Sequence, residues 1–310
     1  MKRFAFVFPG QGSQALGMLD AFTAVAAVQT TVAEASEVLG FDLAHMVSQG
    51  PKDVLDLTTN TQPIMLTAGV AFYRAWLAAG GETPAMVAGH SLGEYSALVA
   101  SGSLSFRDAL LLVRFRAEAM QRAVPVGQGS MAAILGLSDQ DVRSACAKAA
   151  VGQVVEAVNY NAPMQVVIAG HAAAVDRACA LALEKGAKRA LPLAVSAPFH
   201  SSLMLPAAEQ LRSYLATVEC IVPQVTLVNN VDVAVSTDEA GVKDALSRQA
   251  ASPVRWVETI RYIASHGNTH VIECGPGKVL TGLTKRIDPA LVGDAIASPA
   301  AIEHILELLK

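Results

Sequence analysis

The sequence predicts an α/β fold: a larger unit built on a mostly parallel sheet, with a smaller βαββαβ module inserted into it. Three observations carry this expectation. Short apolar runs rich in aromatic and β-branched residues end in Gly or Pro and alternate with longer helical patterns. The middle of the chain changes rhythm and reads strand, helix, strand, strand, helix, strand. One short strand meets a helix through a glycine-bounded turn, AGHSLGE, on which a single serine stands.

Taken in order, RFAFVFP is stopped by Pro9 and Gly10 and reads as a buried strand running into a glycine turn. The Ala-rich stretch from Ser13 to about Gly40 reads as helical. TTNTQPIMLTAGVAFYRAWLAAGG opens with cap candidates and continues as a helix to the double glycine. AMVAG is the next strand, and SLGEYSALVASG a helix that Gly102 terminates. The module then begins with the strand GSMAAILGL and the helix SDQDVRSACAKAA, capped by its serine. QVVEAVNYN and MQVVIAG are strands joined at NAP; HAAAVDRACALALEKG is a helix and KRALPLAV the last strand. THVIECG and KVLTGLTKRI close the larger unit as strand and helix. The implied division is residues 1–125 and 196–310 for the larger subdomain and 126–195 for the ferredoxin-like smaller one.

Composition narrows the function. The 310 residues are 52% hydrophobic and 16% charged, which supports an extensive core and excludes a disordered chain. Apolar runs are short and broken, so no membrane span is expected, and the apolar part of MKRFAFVFPGQG is too brief for a signal peptide. A net charge of −4 carries no nucleic-acid footprint. Cys146, Cys179, Cys220 and Cys274 form no CxxC pair and read as reduced thiols of a cytoplasmic protein.

Gly89-x-Ser91-x-Gly93 between a strand and a helix is the arrangement of a nucleophile elbow. Glycines allow the tight turn, the hydroxyl is lifted into the open, and the N–H of Leu92 at the helix start faces any oxyanion that develops there. The competing reading is a glycine-bounded helix start with Ser91 as an ordinary cap. A serine nucleophile needs a base. His90 adjoins Ser91 but on an elbow points the other way. His200, in SAPFHSSL, sits where a strand-like run meets a loop, and spacing alone leaves His45, His171, His266, His270 and His304 open.

DALLLVRFRAEAMQRAV separates its arginines. Ala109, Leu112, Val113 and Met120 form one apolar stripe with Arg116 inside it, while Arg114, Glu118 and Arg122 form a charge ladder opposite. An inward arginine needs an anionic partner. A buried Asp or Glu and a substrate carboxylate held by two parallel N–H bonds are both open on pattern alone.

FPGQGSQ, GHSLGEYSAL, NYNAPMQVVIAG, SAPFHS and ECGPGKVLTGLTKRI, in this order over nearly the whole chain, resemble the malonyl-CoA:acyl carrier protein transacylases of fatty-acid synthesis. The resemblance implies an α/β-hydrolase-like large subdomain beside the ferredoxin-like one. It implies Ser91 as nucleophile, His200 as base, and Gln249, in RQAASPVRW, as support of the histidine through its backbone carbonyl. It further implies oxyanion donors at the N–H groups of Gln11 and Leu92, and Arg116 as the grip on a malonyl carboxylate. Leu92 after the serine and Phe199 before the histidine resemble the malonyl-selective rather than the methylmalonyl pattern. The implied reaction moves malonyl from malonyl-CoA to the phosphopantetheine thiol of acyl carrier protein through a malonyl-serine, supplying fatty-acid chain extension. No metal, no cofactor beyond the coenzyme A thioester, no nucleic acid and no membrane are expected, and the chain is expected to act as a monomer. Lys188, Arg189, Lys285 and Arg286 are candidates for a basic surface that meets the acidic carrier protein, against an ordinary solvated surface.

Three other readings remain. A serine esterase or thioesterase uses the same elbow, and a non-enzymatic binding subunit keeps the fold with a degenerate site. Gly10-x-Gly12-x-x-Ala15 also fits a dinucleotide fingerprint, but Glu34 and Glu37 fall in a helical pattern instead of ending a second strand. That turn is better read as a backbone donor loop facing Ser91.

Overall fold

The computed structural model describes residues 2–195 and 197–310. Met1 and Ser196, at which two of the expected segment limits fall, lie outside the described residues. The strands are β1 (Phe4–Phe8), β2 (Met86–Gly89), β3 (Gly129–Leu135), β4 (Val155–Ala162), β5 (Gln165–His171), β6 (Arg189–Pro192), β7 (Thr226–Val228), β8 (His270–Glu273) and β9 (Val292–Ala295). They form one sheet of order β7-β2-β1-β8-β9 and a second of order β4-β5-β3-β6.

Every pairing in the first sheet is parallel. Its centre, β1, is buried at all five positions, as expected of a parallel strand covered on both faces. Phe4, Phe6 and Phe8 pack on one side against Tyr73 and Trp76 of the helix Thr58–Ala78, through edge-on ring contacts. Ala5 and Val7 face the other way, into a cluster with Trp256, Ile260 and Leu283. The carboxyl ends of β1, β2 and β7 lie side by side, so the loops that follow them converge at one edge, where open α/β sheets place their ligands.

The second sheet is antiparallel throughout. Its helices, Asp139–Ala149 and Ala172–Glu184, cover one face through Val142, Cys146, Val175 and Ala178. Ser138 caps the first by accepting the Asp141 N–H at 3.1 Å. Met131, Val158, Val167 and Ala169 point into the main core from the opposite face, joining the module to the larger unit. The protein is thus a mixed α/β fold of two subdomains.

One expectation is corrected. Residues 13–40 are not a continuous helix; a 3-10 turn at Asp20–Phe22 precedes the helix Ala26–Leu39. Gly17 lies at φ 73° and its N–H bonds to the Val47 carbonyl, while the Gln14 side chain ties Gly12 to Asp56. These long-range bonds hold the segment open against its helical composition.

The arginine separation holds in the helix Phe106–Ala123. Ala109, Leu112, Val113 and Met120 are fully buried and Arg116 is 2% exposed. Glu118 pairs outside with Arg114 at 3.4 Å and Arg122 at 3.5 Å. All four cysteines are free. Among the described residues no helix is long and apolar enough to cross a membrane.

Candidate active site

β2 ends at Gly89, and the helix Gly93–Ala100 starts four residues on. Between them Ser91 sits at φ 53°, a left-handed conformation that a serine adopts only when its surroundings enforce it. The enforcement is steric. A Cβ at Gly93 would overlap the Phe8 carbonyl, and one at Gly89 would overlap the backbone of Gly93. A Cβ at Gly10 would come within 2.6 Å of the His90 carbonyl oxygen. The Gln11 loop and the elbow can therefore press together only as glycine backbones. Asn230, two residues past β7, clamps the turn: its Oδ1 accepts the Ser91 N–H at 2.7 Å and its Nδ2 donates to the Gly89 carbonyl at 2.6 Å.

His200 lies 2.6 Å from Ser91, Nε2 to Oγ. Its Nδ1 is 2.9 Å from the Gln249 carbonyl oxygen. A carbonyl can only accept, so Nδ1 carries the proton and the Nε2 lone pair faces the serine hydroxyl. His200 is itself left-handed at φ 66°. Its loop is held by Glu156 of β4, which accepts from the Ser202 N–H at 2.7 Å and the Ser202 hydroxyl at 2.9 Å. Burial, and then the nearby Arg116 cation, push the imidazole pKa down to about 3, so the ring is neutral and ready to accept a proton.

Arg116 is held by amides. Nη1 donates to Gln62 Oε1 at 2.6 Å and Nη2 to Gln249 Oε1 at 3.0 Å; Nη2 also reaches Ser91 Oγ at 3.2 Å. The guanidinium lies 5.4 Å over the Tyr95 ring, and its Nε has no partner among the described residues. Among these residues no carboxylate forms a salt bridge with it. The buried-acid alternative for this arginine is not what the fold builds.

The N–H groups of Gln11 and Leu92 have no acceptor among the described residues. Gln11 is oriented by the Thr58 hydroxyl, which donates to its side-chain oxygen at 2.7 Å. Gln11, Ser91, Leu92, Arg116, Phe199 and His200 line a single cavity of about 100 Å³. All six sequence-derived site residues are thereby gathered: five on the cavity wall, and Gln249 behind it. His90 turns aside from the hydroxyl, with Nε2 2.8 Å from Asn161 Oδ1 and its ring against Trp256.

Sequence reasoning missed Gln62, Glu94, Glu156 and Asn230. Glu94 carried a usable signal, as an acidic residue in a mostly apolar helical run, whereas Gln62 follows four polar residues and carried none. Asn230 and Glu156 carried none, because their partners lie far away in the chain. A neutral base on a strained hydroxyl, two free amide donors and an unpaired buried cation suit nucleophilic acyl transfer with an anionic acyl group.

A family model described as the acyl transferase domain matches residues 5–288. The chain belongs to this acyl transferase family. Within it, the chain is 54% identical over 309 residues to the malonyl CoA-acyl carrier protein transacylase of Escherichia coli K12, covering 99% of this chain and 100% of that one. The crystal structure of an acyl-carrier-protein S-malonyltransferase from Burkholderia pseudomallei 1710b superposes with a TM-score of 0.97 at 64% identity, covering 98% and 99% of the two chains. A malonyl-transacylase solved in complex with a type II polyketide synthase acyl-carrier protein superposes with a TM-score of 0.98 at 50% identity, covering 99% and 100%.

Because the family's elbow here depends on glycine contacts, Gly89→Ala should displace the hydroxyl. Labelling of Ser91 by a serine-directed fluorophosphonate should slow about 100-fold, the usual penalty for a misplacement of about 1 Å. Gly282→Ala, whose Cβ would enter open space, should label at the original rate.

Proposed function

We propose that this chain transfers the malonyl group of malonyl-CoA to the phosphopantetheine thiol of acyl carrier protein, by way of malonyl-Ser91. One observation carries the reading: a neutral imidazole 2.6 Å from the Ser91 hydroxyl, beside a buried arginine whose charge no carboxylate takes up. The names of the transacylase relatives and the carrier-protein complex of a structural neighbour support it.

In the first half-reaction Ser91 Oγ attacks the thioester carbonyl carbon while His200 Nε2 takes the hydroxyl proton. The carbonyl oxygen gains the electron pair and is held by the N–H groups of Gln11 and Leu92, each such donor being worth about 3–4 kcal/mol. Collapse breaks the carbon–sulfur bond, and coenzyme A leaves as a thiol with the proton from Nε2. In the second half the pantetheine thiol gives its proton to Nε2, attacks the malonyl ester, and releases the serine, which recovers that proton. Kinetics are ping-pong.

Arg116 pairs with the free carboxylate of the malonyl group, and an acetyl group leaves that charge without a partner. Phe199 and Leu92 line a cavity of about 100 Å³ and disfavour an α-methyl branch. Nucleophile, base, oxyanion donors and carboxylate grip are all side chains or amides of this chain, so the reaction as drawn calls for no cofactor. Residues 1–125 and 196–310 form the catalytic subdomain in this reading, with 126–195 as the smaller one. The four free thiols support a cytoplasmic setting.

The intact mass after incubation with malonyl-CoA tests the reading. It should rise by one malonyl group, Ser91→Ala should remain unmodified, and the adduct should persist until an acceptor thiol is added. Rapid release of free malonate without a thiol would make the protein a hydrolase instead, and no adduct on the native chain would make it a binding subunit.

The depressed imidazole pKa sets a pH dependence. His200 is neutral down to about pH 3, so the acid limb of kcat/KM for acetyl-CoA should lie well below the ordinary histidine range. Removing the Arg116 cation favours the imidazolium and raises that pKa, so Arg116→Ala should move the limb to higher pH.

Lys285 and Arg286 are exposed at the end of the helix Val279–Ile287, and neither forms an ion pair among the described residues. Arg286 reaches Gln165 of the small sheet, and Lys188 and Arg189 are exposed at the start of β6. Reversing Lys285 and Arg286 to Glu should slow transfer to carrier protein roughly ten-fold and leave transfer to free pantetheine unchanged.

A further inference from the structure

We propose that Glu94 is the positioning residue that fixes the amide orientation of Gln249, and through it the aim of Arg116 at the acyl carboxylate. The inference rests on the reading that Arg116 receives that carboxylate. Glu94 is 1% exposed on the first turn of the elbow helix, three residues after Ser91. Its Oε2 accepts from Gln249 Nε2 at 2.8 Å and from the Asn230 backbone N–H at 3.1 Å.

Gln249 is the hinge of the site. Its backbone carbonyl holds His200, and its side-chain amide stands between Glu94 and Arg116. Nε2 donates to Glu94 and to the Ser91 carbonyl, at 3.0 Å for the latter, while Oε1 accepts from Arg116 Nη2. Only one of the two amide orientations makes these bonds. A flipped amide would aim an NH₂ at a guanidinium, which has nothing but donors, and an oxygen at a carboxylate and a carbonyl. Two acceptors, Glu94 and the Ser91 carbonyl, therefore set the direction, and of the two only Glu94 is a side chain.

The arrangement also separates two buried charges. Glu94 and Arg116 form no salt bridge, and the neutral amide lies between them. A carboxylate placed directly on Arg116 would occupy the guanidinium that the acyl carboxylate needs. Through the amide, Glu94 aims the cation and leaves it available. Burial raises the Glu94 pKa to about 7, against lowering from Gln249, Asn230 and Arg116. A carboxyl protonated on Oε1 still presents Oε2 as an acceptor, so the orienting role does not require the charge.

The test compares malonyl-CoA with acetyl-CoA in Glu94→Leu, Glu94→Asp and Glu94→Gln, with Arg116→Ala as control. Leucine removes the acceptor and aspartate withdraws it by one methylene, so both should lower the malonyl-over-acetyl ratio of kcat/KM at least ten-fold. Most of that change should appear as a raised KM for malonyl-CoA. Glutamine keeps an oxygen for the two donors and should retain the ratio within about three-fold. Acylation is read per folded molecule, with folded protein quantified by thermal unfolding, so a merely structural role lowers both substrates alike and leaves the ratio unmoved. An unmoved ratio in whichever of the Leu and Asp variants folds overturns the proposal, as does a Gln variant as unselective as the Leu one. Should Arg116→Ala itself leave the malonyl preference intact, the reading of Arg116 fails; collapse there without an effect at Glu94 sinks the positioning role alone.

Discussion

A single 2.6 Å contact, from Ser91 Oγ to His200 Nε2, organises the rest of the molecule. The two residues belong to chain segments on either side of the inserted antiparallel module. Bringing them together requires both to adopt left-handed backbone conformations, each costing on the order of 1–3 kcal/mol. Specific contacts hold that strain. Glycine-on-backbone approaches at Gly10, Gly89 and Gly93 press the Gln11 loop onto the elbow, and Asn230 closes the turn with two hydrogen bonds. Glu156 reaches from the small sheet to fix the loop that follows the histidine. The small subdomain thereby supports the His200 loop directly.

The electrostatics follow from leaving one buried charge unpaired. Arg116 sits among amide oxygens and an aromatic face, and its proximity helps keep His200 neutral. A carboxylate behind the imidazole, as in a Ser-His-Asp triad, would add a negative charge to the site. A backbone carbonyl at Gln249 fixes the same tautomer without a charge. The cost is a less polarised base, which suits attack on a thioester, a better electrophile than an amide.

Much of this was legible in the sequence because the relevant signals are local. The alternation of β1, β2 and their helices, the βαββαβ rhythm and the G-x-S-x-G turn each lie within one stretch of chain, and the buried stripe bearing Arg116 within one helix. What composition misread was residues 13–25, where Ala-rich sequence is overridden by bonds to Val47 and Asp56 from another segment. The supporting residues were hidden for the same reason. Asn230 bonds across 139 positions and Gln249 across 155 and 158, and no periodicity reports a partner at that distance. The Leu92 amide followed from the elbow itself, whereas Gln249 and the Gln11 amide came from family resemblance, since a backbone donor or acceptor leaves no mark on side-chain pattern.

The protonation pattern of the His200 ring is the most direct test of the account. Nitrogen-15 NMR of the resting protein at neutral pH should show Nδ1 bearing hydrogen and Nε2 with the shift of an unprotonated, hydrogen-bond-accepting nitrogen. A ring protonated on Nε2, or an imidazolium at that pH, would leave Ser91 without a base and contradict the mechanism.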